Sequence, residues 1–177
     1  WLVVIPIIVS SSAALHGQDM SAGRVMTVAG DTTNGYNGDV DADGVPRPSI
    51  GAQLTLPWGL AISGSGRDLY IGDAGNHRVR RVDTAHWDIF TIAGNGSADY
   101  GGDGELAVNA SMRSHGGVTV DGLGNVYIVD SGNHRVRMVD TEGQIQTIAG
   151  GTKAGFGGDG GVATQGFLKN PVDVAVE

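Results

Sequence analysis

The chain has 177 residues, a formal net charge of −8 and no cysteine. That length suits one domain of ordinary size. The negative charge repels phosphate backbones, so nucleic acid is not an expected partner. The lack of cysteine removes disulfides, thiolate metal sites and thiol nucleophiles, but it does not fix the compartment, because secreted proteins need not contain cysteine.

The first element in chain order is an apolar N-terminal segment, residues 1–23. A nearly unbroken apolar run at 1–9 is followed by small residues at 10–14. That order is typical of a secretory signal peptide around its cleavage site, and the run is too short to span a bilayer. Two interpretations stay open: a signal remnant, or a retained apolar strand or anchor. We expect a secreted, extracellular protein that contacts a membrane only if this segment is retained.

An acidic loop follows, in which carboxylates alternate before a glycine. Side chains at every second position can converge on one hard cation, which is how Ca²⁺-binding loops begin. The glutamate that normally ends such loops is Ile50 here. The sequence leaves open a Ca²⁺ site and a solvated acidic loop, and it predicts no other cofactor. The three candidate ligands are Asp39, Asp41 and Asp43.

Residues 24–177 contain an internal repeat. The pentapeptide Asn-His-Arg-Val-Arg at 76–80 returns 57 residues later at 133–137, and Thr-Ile-Ala-Gly at 91–94 returns at 147–150. A period of that size indicates a stacked array or propeller rather than a single globular core. We place the repeats at about 24–88, 89–144 and 145–177.

Four short strands are predicted in each full repeat, because Val, Ile, Tyr and Thr alternate at period two between Gly, Asp or Asn turns. Such a sheet cannot cover both of its own faces, so it must stack on neighbours as a propeller blade. An outer strand near 25–29 and an inner strand at 172–176 would belong to partial blades. The other predicted strands are 59–62, 68–73, 77–82 and 89–93, then 117–120, 125–130, 134–139 and 145–149.

The repeated pentapeptide puts arginines in the third strand of each blade. A sheet packed on both faces must pair its buried guanidiniums, and the nearby carboxylates are Asp73, Asp83, Asp130 and Asp140. We interpret the motif as structural ion pairs and capped turns, with direct ligand contact as the alternative. Its residues are Asn76, His77, Arg78 and Arg80, and Asn133, His134, Arg135 and Arg137.

Two N-glycosylation sequons begin at Asn95 and Asn109, both in predicted loops where a glycan is tolerated. Beside the signal-like start, they favour a secreted glycoprotein. In a bacterium they would carry no meaning.

Several repeated patterns resemble NHL repeats across residues 25–177: Pro-x-Gly-Val/Leu-Ala, Asn-x-Tyr-Ile-x-Asp, Gly-Asn-His-Arg-Val-Arg and Ile-x-Thr-Ile-Ala-Gly. The resemblance implies an all-β protein, a β-propeller usually of about six blades, that binds proteins or ligands, with some members enzymatic. This chain holds about two full blades plus partial ones. Further blades, from a longer polypeptide or from other chains, must therefore complete the ring, and open ends favour self-association into a polymer or filament.

The expected function is a non-catalytic module for protein or ligand binding or for structural assembly. The alternative is a metal-dependent lyase or hydrolase that resembles peptidyl-amidoglycolate lyase, whose central-channel histidines hold Zn²⁺, with most of its site outside this segment. Only His115 lies near an inner-strand entrance here, and one ligand makes no zinc site. No catalytic residue is assigned.

Overall fold

The computed structural model describes residues 27–113 and 116–177. These residues form two four-stranded antiparallel sheets in which spatial order follows chain order, which confirms the predicted all-β blades. The apolar N-terminal segment lies outside the described residues. None of the helices within those ranges is long and apolar enough to cross a membrane.

The first blade contains β1 (Pro57–Ile62), β2 (Asp68–Asp73), β3 (Arg78–Asp83) and β4 (Asp88–Ala93). The second contains β5 (Val118–Val120), β6 (Val126–Asp130), β7 (Arg135–Val139) and β8 (Ile145–Ala149). The helical elements of the described ranges are short 3₁₀ turns at Ser49–Gly51, Ala74–Asn76, Ala107–Asn109, Ser131–Asn133 and Ala163–Gln165.

The predicted strands agree with these bounds to within one or two residues, with an informative difference at the third strand of each blade. His77 and His134 were predicted to begin these strands, but both adopt a left-handed backbone, with φ of 52° and 58°. Each N–H closes the preceding 3₁₀ turn, donating to the carbonyl of Ala74 at 3.1 Å or of Ser131 at 3.0 Å. The histidines therefore complete the chain reversal, and the strand starts one residue later.

The strands predicted for the partial blades are not found in the described residues. Residues 27–29 form no strand, and 25 and 26 lie outside the described ranges. Residues 172–176 form no ladder either, although the N–H of Gly117 donates to the carbonyl of Val172 at 2.8 Å. A strand requires a neighbour along its length. This segment lies beside the start of the second blade, where the inner strand of a following blade would begin.

The two blades stack through a shared apolar layer. Tyr70 and Val79 of the first blade pack with Ile128 and Val139 of the second, and Met112 from the segment between them completes the layer. All are nearly or completely buried. Burial of apolar area at about 25 cal/mol per Å² makes this layer the main attraction between the sheets.

Gly59 lets the inner strands of the two blades approach each other. An added Cβ at this position would lie 2.6 Å from the backbone nitrogen of Val118 and 2.9 Å from the Cα of Gly117. Those atoms belong to the backbone and cannot move aside easily. A residue without a side chain is therefore needed where the blades meet.

An irregular connector precedes each blade, and a third follows the second blade; we name these the first connector (residues 27–56), the second connector (94–113) and the third connector (150–170). The first covers one face of the first blade, where Ala52 joins Leu69, Ile71, Val82 and Ile89 in a second apolar cluster. The second lies on the equivalent face of the second blade. The connectors thus bring polar residues against the third strand of each blade.

Candidate functional site

Arg137 on β7 is fully buried and is hydrogen-bonded at every side-chain nitrogen. Its Nη2 donates to Asp103 Oδ1 at 2.7 Å and to the carbonyl of Gly101 at 2.9 Å, while Nε donates to Asp103 at 3.2 Å. Its Nη1 donates to the carbonyl of Ser111 at 2.9 Å and lies 3.8 Å from Asp130 Oδ2. We call this arrangement the arginine clamp of the second blade. It ties the second connector to the sheet.

Arg80 occupies the same place in the first blade, with fewer bonds. Its Nη2 donates to Asp39 Oδ1 at 2.8 Å, and Nη1 lies 3.5 Å from Asp73 Oδ2 as an ion pair. Both Nε and Nη1 are buried without a hydrogen bond. Unmade hydrogen bonds of buried donors cost free energy, so this arginine clamp should contribute less to stability than its counterpart.

Of the carboxylates predicted to pair with these arginines, Asp73 and Asp130 do so, but Asp83 and Asp140 do not. Asp83 pairs instead with Nδ1 of His86 at 2.9 Å, because an odd number of positions from Arg80 places it on the opposite face of the strand. Asp140 accepts a hydrogen bond from the backbone N–H of Gln144, in the turn between β7 and β8, at 2.8 Å.

The two asparagines of the motif hold the buried carboxylates. Nδ2 of Asn76 donates to both oxygens of Asp73 at 2.9 and 2.8 Å, and Nδ2 of Asn133 does the same for Asp130 at 2.9 and 3.0 Å. Burial raises the pKa of Asp73 and of Asp130, while these hydrogen bonds and the arginines partly oppose the rise. These contacts hold the turn before the third strand of each blade, and direct ligand contact by the motif stays a prediction.

Asp39, Asp41 and Asp43 do not converge. Besides Arg80, Asp39 accepts hydrogen bonds from the backbone N–H and the hydroxyl of Thr91 at 2.8 and 3.0 Å, while Asp41 accepts the N–H of Asp43 at 2.9 Å within its own turn. In the described ranges no three His, Asp or Glu side chains are grouped so that they could hold a metal ion. Ca²⁺ binding at this loop stays a prediction.

The aromatic residue of each connector was not singled out from the sequence. It precedes the connector's aspartate by three positions, a spacing that recurs and could have been noticed. The tyrosine ring lies under the first arginine of the motif, with its centroid 3.8 Å from Cζ of Arg78 and 3.7 Å from Cζ of Arg135. The aromatic–aspartate pairs are Tyr36 with Asp39, Tyr100 with Asp103, and Phe156 with Asp159.

A cavity of about 580 Å³ opens beside Arg135, between the second and third connectors. Charged, hydroxyl and aromatic groups share its wall. Burial raises the pKa of Asp103, but hydrogen bonds from Thr147, Tyr100 and Arg137 outweigh it and hold that pKa below its ordinary value. The lining includes Tyr100, Asp103, Arg135, Thr147, Thr164 and Phe167.

The two predicted glycosylation sites lie side by side. Nδ2 of Asn95 donates to the carbonyl of Asn109 at 2.9 Å and to the hydroxyl of Ser111 at 3.2 Å. Both asparagines are exposed. His115, the one residue named for the lyase alternative, lies outside the described residues, so that alternative also stays a prediction.

Two sheets of four antiparallel strands, stacked face to face and joined by connectors of one pattern, define a β-propeller module. The family model of the NHL repeat matches residues 54–82, and that of the teneurin NHL domain matches residues 84–156. The chain belongs to the NHL-repeat β-propeller family.

Similar proteins include NHL repeat-containing protein 2 of Gallus gallus, which is 28% identical over 144 residues, covering 78% of this chain and 19% of that protein. Teneurin-1 of Caenorhabditis elegans is 40% identical over 62 residues, covering 32% of this chain and 2% of that protein. The chain therefore spans about a fifth of the length of the NHL repeat-containing protein 2 relatives and less of the teneurin.

Two solved structures from Bacteroides thetaiotaomicron share the fold at 20% sequence identity. A structural genomics protein of unknown function has a TM-score of 0.62, with 88% of this chain and 35% of that chain covered. An auxiliary nutrient binding protein has a TM-score of 0.56, with 79% and 38% covered.

Proposed function

We propose that this chain is a non-catalytic NHL-repeat propeller module that binds proteins or ligands outside the cell, and that further blades complete its ring. Those blades come either from a longer polypeptide or from other copies of the chain. The observation that carries the proposal is that the third connector repeats the aromatic–aspartate pair of the first two connectors but has no following blade to contact within the described residues.

The third connector repeats the pattern of the first two without a blade to receive it. Tyr36 and Tyr100 each lie against an arginine of the following blade, but Phe156, at the same position, is 90% exposed. Asp159 forms no ion pair within the described ranges, whereas Asp39 and Asp103 each bind a buried arginine. A third blade would supply both contacts. Burying one phenylalanine contributes about 2–3 kcal/mol to such docking.

The experiment measures the mass of the native protein by light scattering and by intact mass spectrometry. A polypeptide much heavier than 18.1 kDa indicates blades from a longer chain, whereas a heavier particle built from this chain indicates other copies. In the second case Asp159→Arg should disperse the particle, and Glu142→Arg, an exposed charge reversal in a turn of the second blade, should not. A folded monomer of 18.1 kDa would contradict the proposal.

Export is supported by the apolar N-terminal segment and the sequons, and the structure favours Asn109 over Asn95 as the acceptor. A glycan on Asn95 would replace one of the two Nδ2 hydrogens that are donated to Asn109 and Ser111. We expect a mass loss on enzymatic glycan removal that Asn109→Gln abolishes and Asn95→Gln leaves in place. Native material with no glycan at either site would remove this support for export.

A further inference from the structure

The two blades carry the same arginine–tyrosine stack, but only in the first blade is it closed by the connector that follows the blade. Nη1 of Arg78 donates to the carbonyl of Asn76 and Nη2 to that of Asn95, both at 2.9 Å. Gly96 lies directly against this guanidinium, since an added Cβ would be 2.6 Å from Nη1. The backbone of the second connector therefore covers this guanidinium.

The equivalent guanidinium of Arg135 is open. Its Nη1 donates to the carbonyl of Asn133 at 3.2 Å, and no acceptor for Nη2 is present within the described ranges. Gly151 and Thr152 stand at the positions of the Asn-Gly pair that closes the first site. The cavity of about 580 Å³ opens there.

We propose that this cavity binds a small hydroxylated monocarboxylate, such as a sugar acid, through Arg135. A guanidinium held flat on a tyrosine ring turns its N–H edge outward, and that edge matches a carboxylate. Thr147, Thr152 and Thr164 line the cavity with hydroxyl groups, and Phe167 offers a partly exposed ring against which a sugar can pack.

The negative charges near the cavity favour a ligand with one carboxylate over a polyanion. Asp103 also lines the cavity and keeps its negative charge, because Arg137 and Tyr100 donate hydrogen bonds to it and its pKa is lowered. A multiply charged phosphate would be repelled by that aspartate and by the net charge of −8. The volume falls in the range of small-molecule sites, roughly 300–1,000 Å³.

The inference rests on the proposed function and deepens it by naming a ligand class, which that function leaves open. The test is calorimetric titration of the protein with D-glucuronate, with glucose as the neutral match and inorganic phosphate as the polyanion. We expect binding of glucuronate only. Arg135→Gln should weaken it about tenfold or more, while Arg78→Gln, the matched change in the closed site, should leave it unchanged.

A second variant keeps the test decisive if Arg135→Gln misfolds. Thr152→Trp would fill the cavity with a large side chain and should abolish binding while Arg135 stays in place. Glucuronate binding that equals glucose or phosphate binding, or that survives this filling of the cavity, would overturn the proposal. The mass measurements on the propeller would stand in either case.

Discussion

Replacing Arg137 by methionine should reveal how much of the stability depends on the arginine clamp. The change keeps an unbranched side chain of comparable length but removes every donor and the charge. Asp130, which is 0% exposed, then loses its buried cation. The carbonyls of Gly101 and Ser111 lose their donors as well.

The expected loss in the free energy of unfolding is about 3–5 kcal/mol, the usual cost of breaking a buried ion pair from one side. Arg81→Met is the matched control: Arg81 lies on a third strand like Arg137, but its side chain is 40% exposed and its Nη1 is 3.5 Å from Asp68. That exposed pair should be worth only about 0–1 kcal/mol. Arg80→Met should fall between them, because two of its nitrogens already lack hydrogen bonds.

The assay is urea unfolding followed by circular dichroism, with amide hydrogen exchange of the second blade measured alongside, since stacked repeats can unfold separately. Arg137 lowers the pKa of Asp130, so its removal raises that pKa further. The ionised carboxylate then destabilises the fold as pH rises through the raised value, and the loss should be largest near about pH 7 and shrink toward about pH 4. Equal losses for Arg137→Met and Arg81→Met would refute the reasoning.

Two further predictions concern the surface pair and the turns. The hydrogen bond to Asp83 raises the pKa of His86 above 6.5. The Asp83–His86 ion pair therefore stabilises the fold below pH 6.5, and this stabilisation is lost as the pH rises through the pKa of His86 in the folded protein. An NMR titration should show the raised pKa and its return in Asp83→Asn; an unshifted wild-type histidine would contradict this. Gly143→Ala should cost about 1–2 kcal/mol, because Gly143 has a positive φ. Gly150→Ala should cost more, because Gly150 also has a positive φ and its new methyl group would collide with the carbonyl of His134. Equal losses in thermal unfolding would count against the collision.

The sequence predicts the strands of the blades well because the residue pattern within each strand reflects which of its faces are buried. Alternation at period two and the 57-residue repeat need no knowledge of distant contacts. The link between Asp73 and Arg80 could be predicted for the same reason, since both belong to one hairpin. Local patterning sufficed wherever the partners were neighbours in the sheet.

Local patterning could not predict the partner of Asp39. Alternating carboxylates suggested a cation site, but the partner of Asp39 is Arg80, 41 residues further along the chain. Only the folding of the connector onto the blade brings them together. The corresponding separation in the second blade, between Asp103 and Arg137, is 34 residues. The longer first connector hides the equivalence of the two aspartates, which the shared aromatic spacing would have exposed.

A comparison of the two blades distinguishes the side chains that stabilise the fold from the features that can vary between blades. Both repeats keep an aromatic ring, an aspartate and two arginines in the same arrangement, so these groups serve blade assembly. Closure over the first arginine of the motif differs, because the backbone carbonyl of Asn95 accepts a hydrogen bond from Nη2 of Arg78, whereas Nη2 of Arg135 has no acceptor within the described residues and faces the cavity. The second blade nevertheless forms all four of its strands. Closure is therefore not needed to build a blade, and the open guanidinium is available to a ligand.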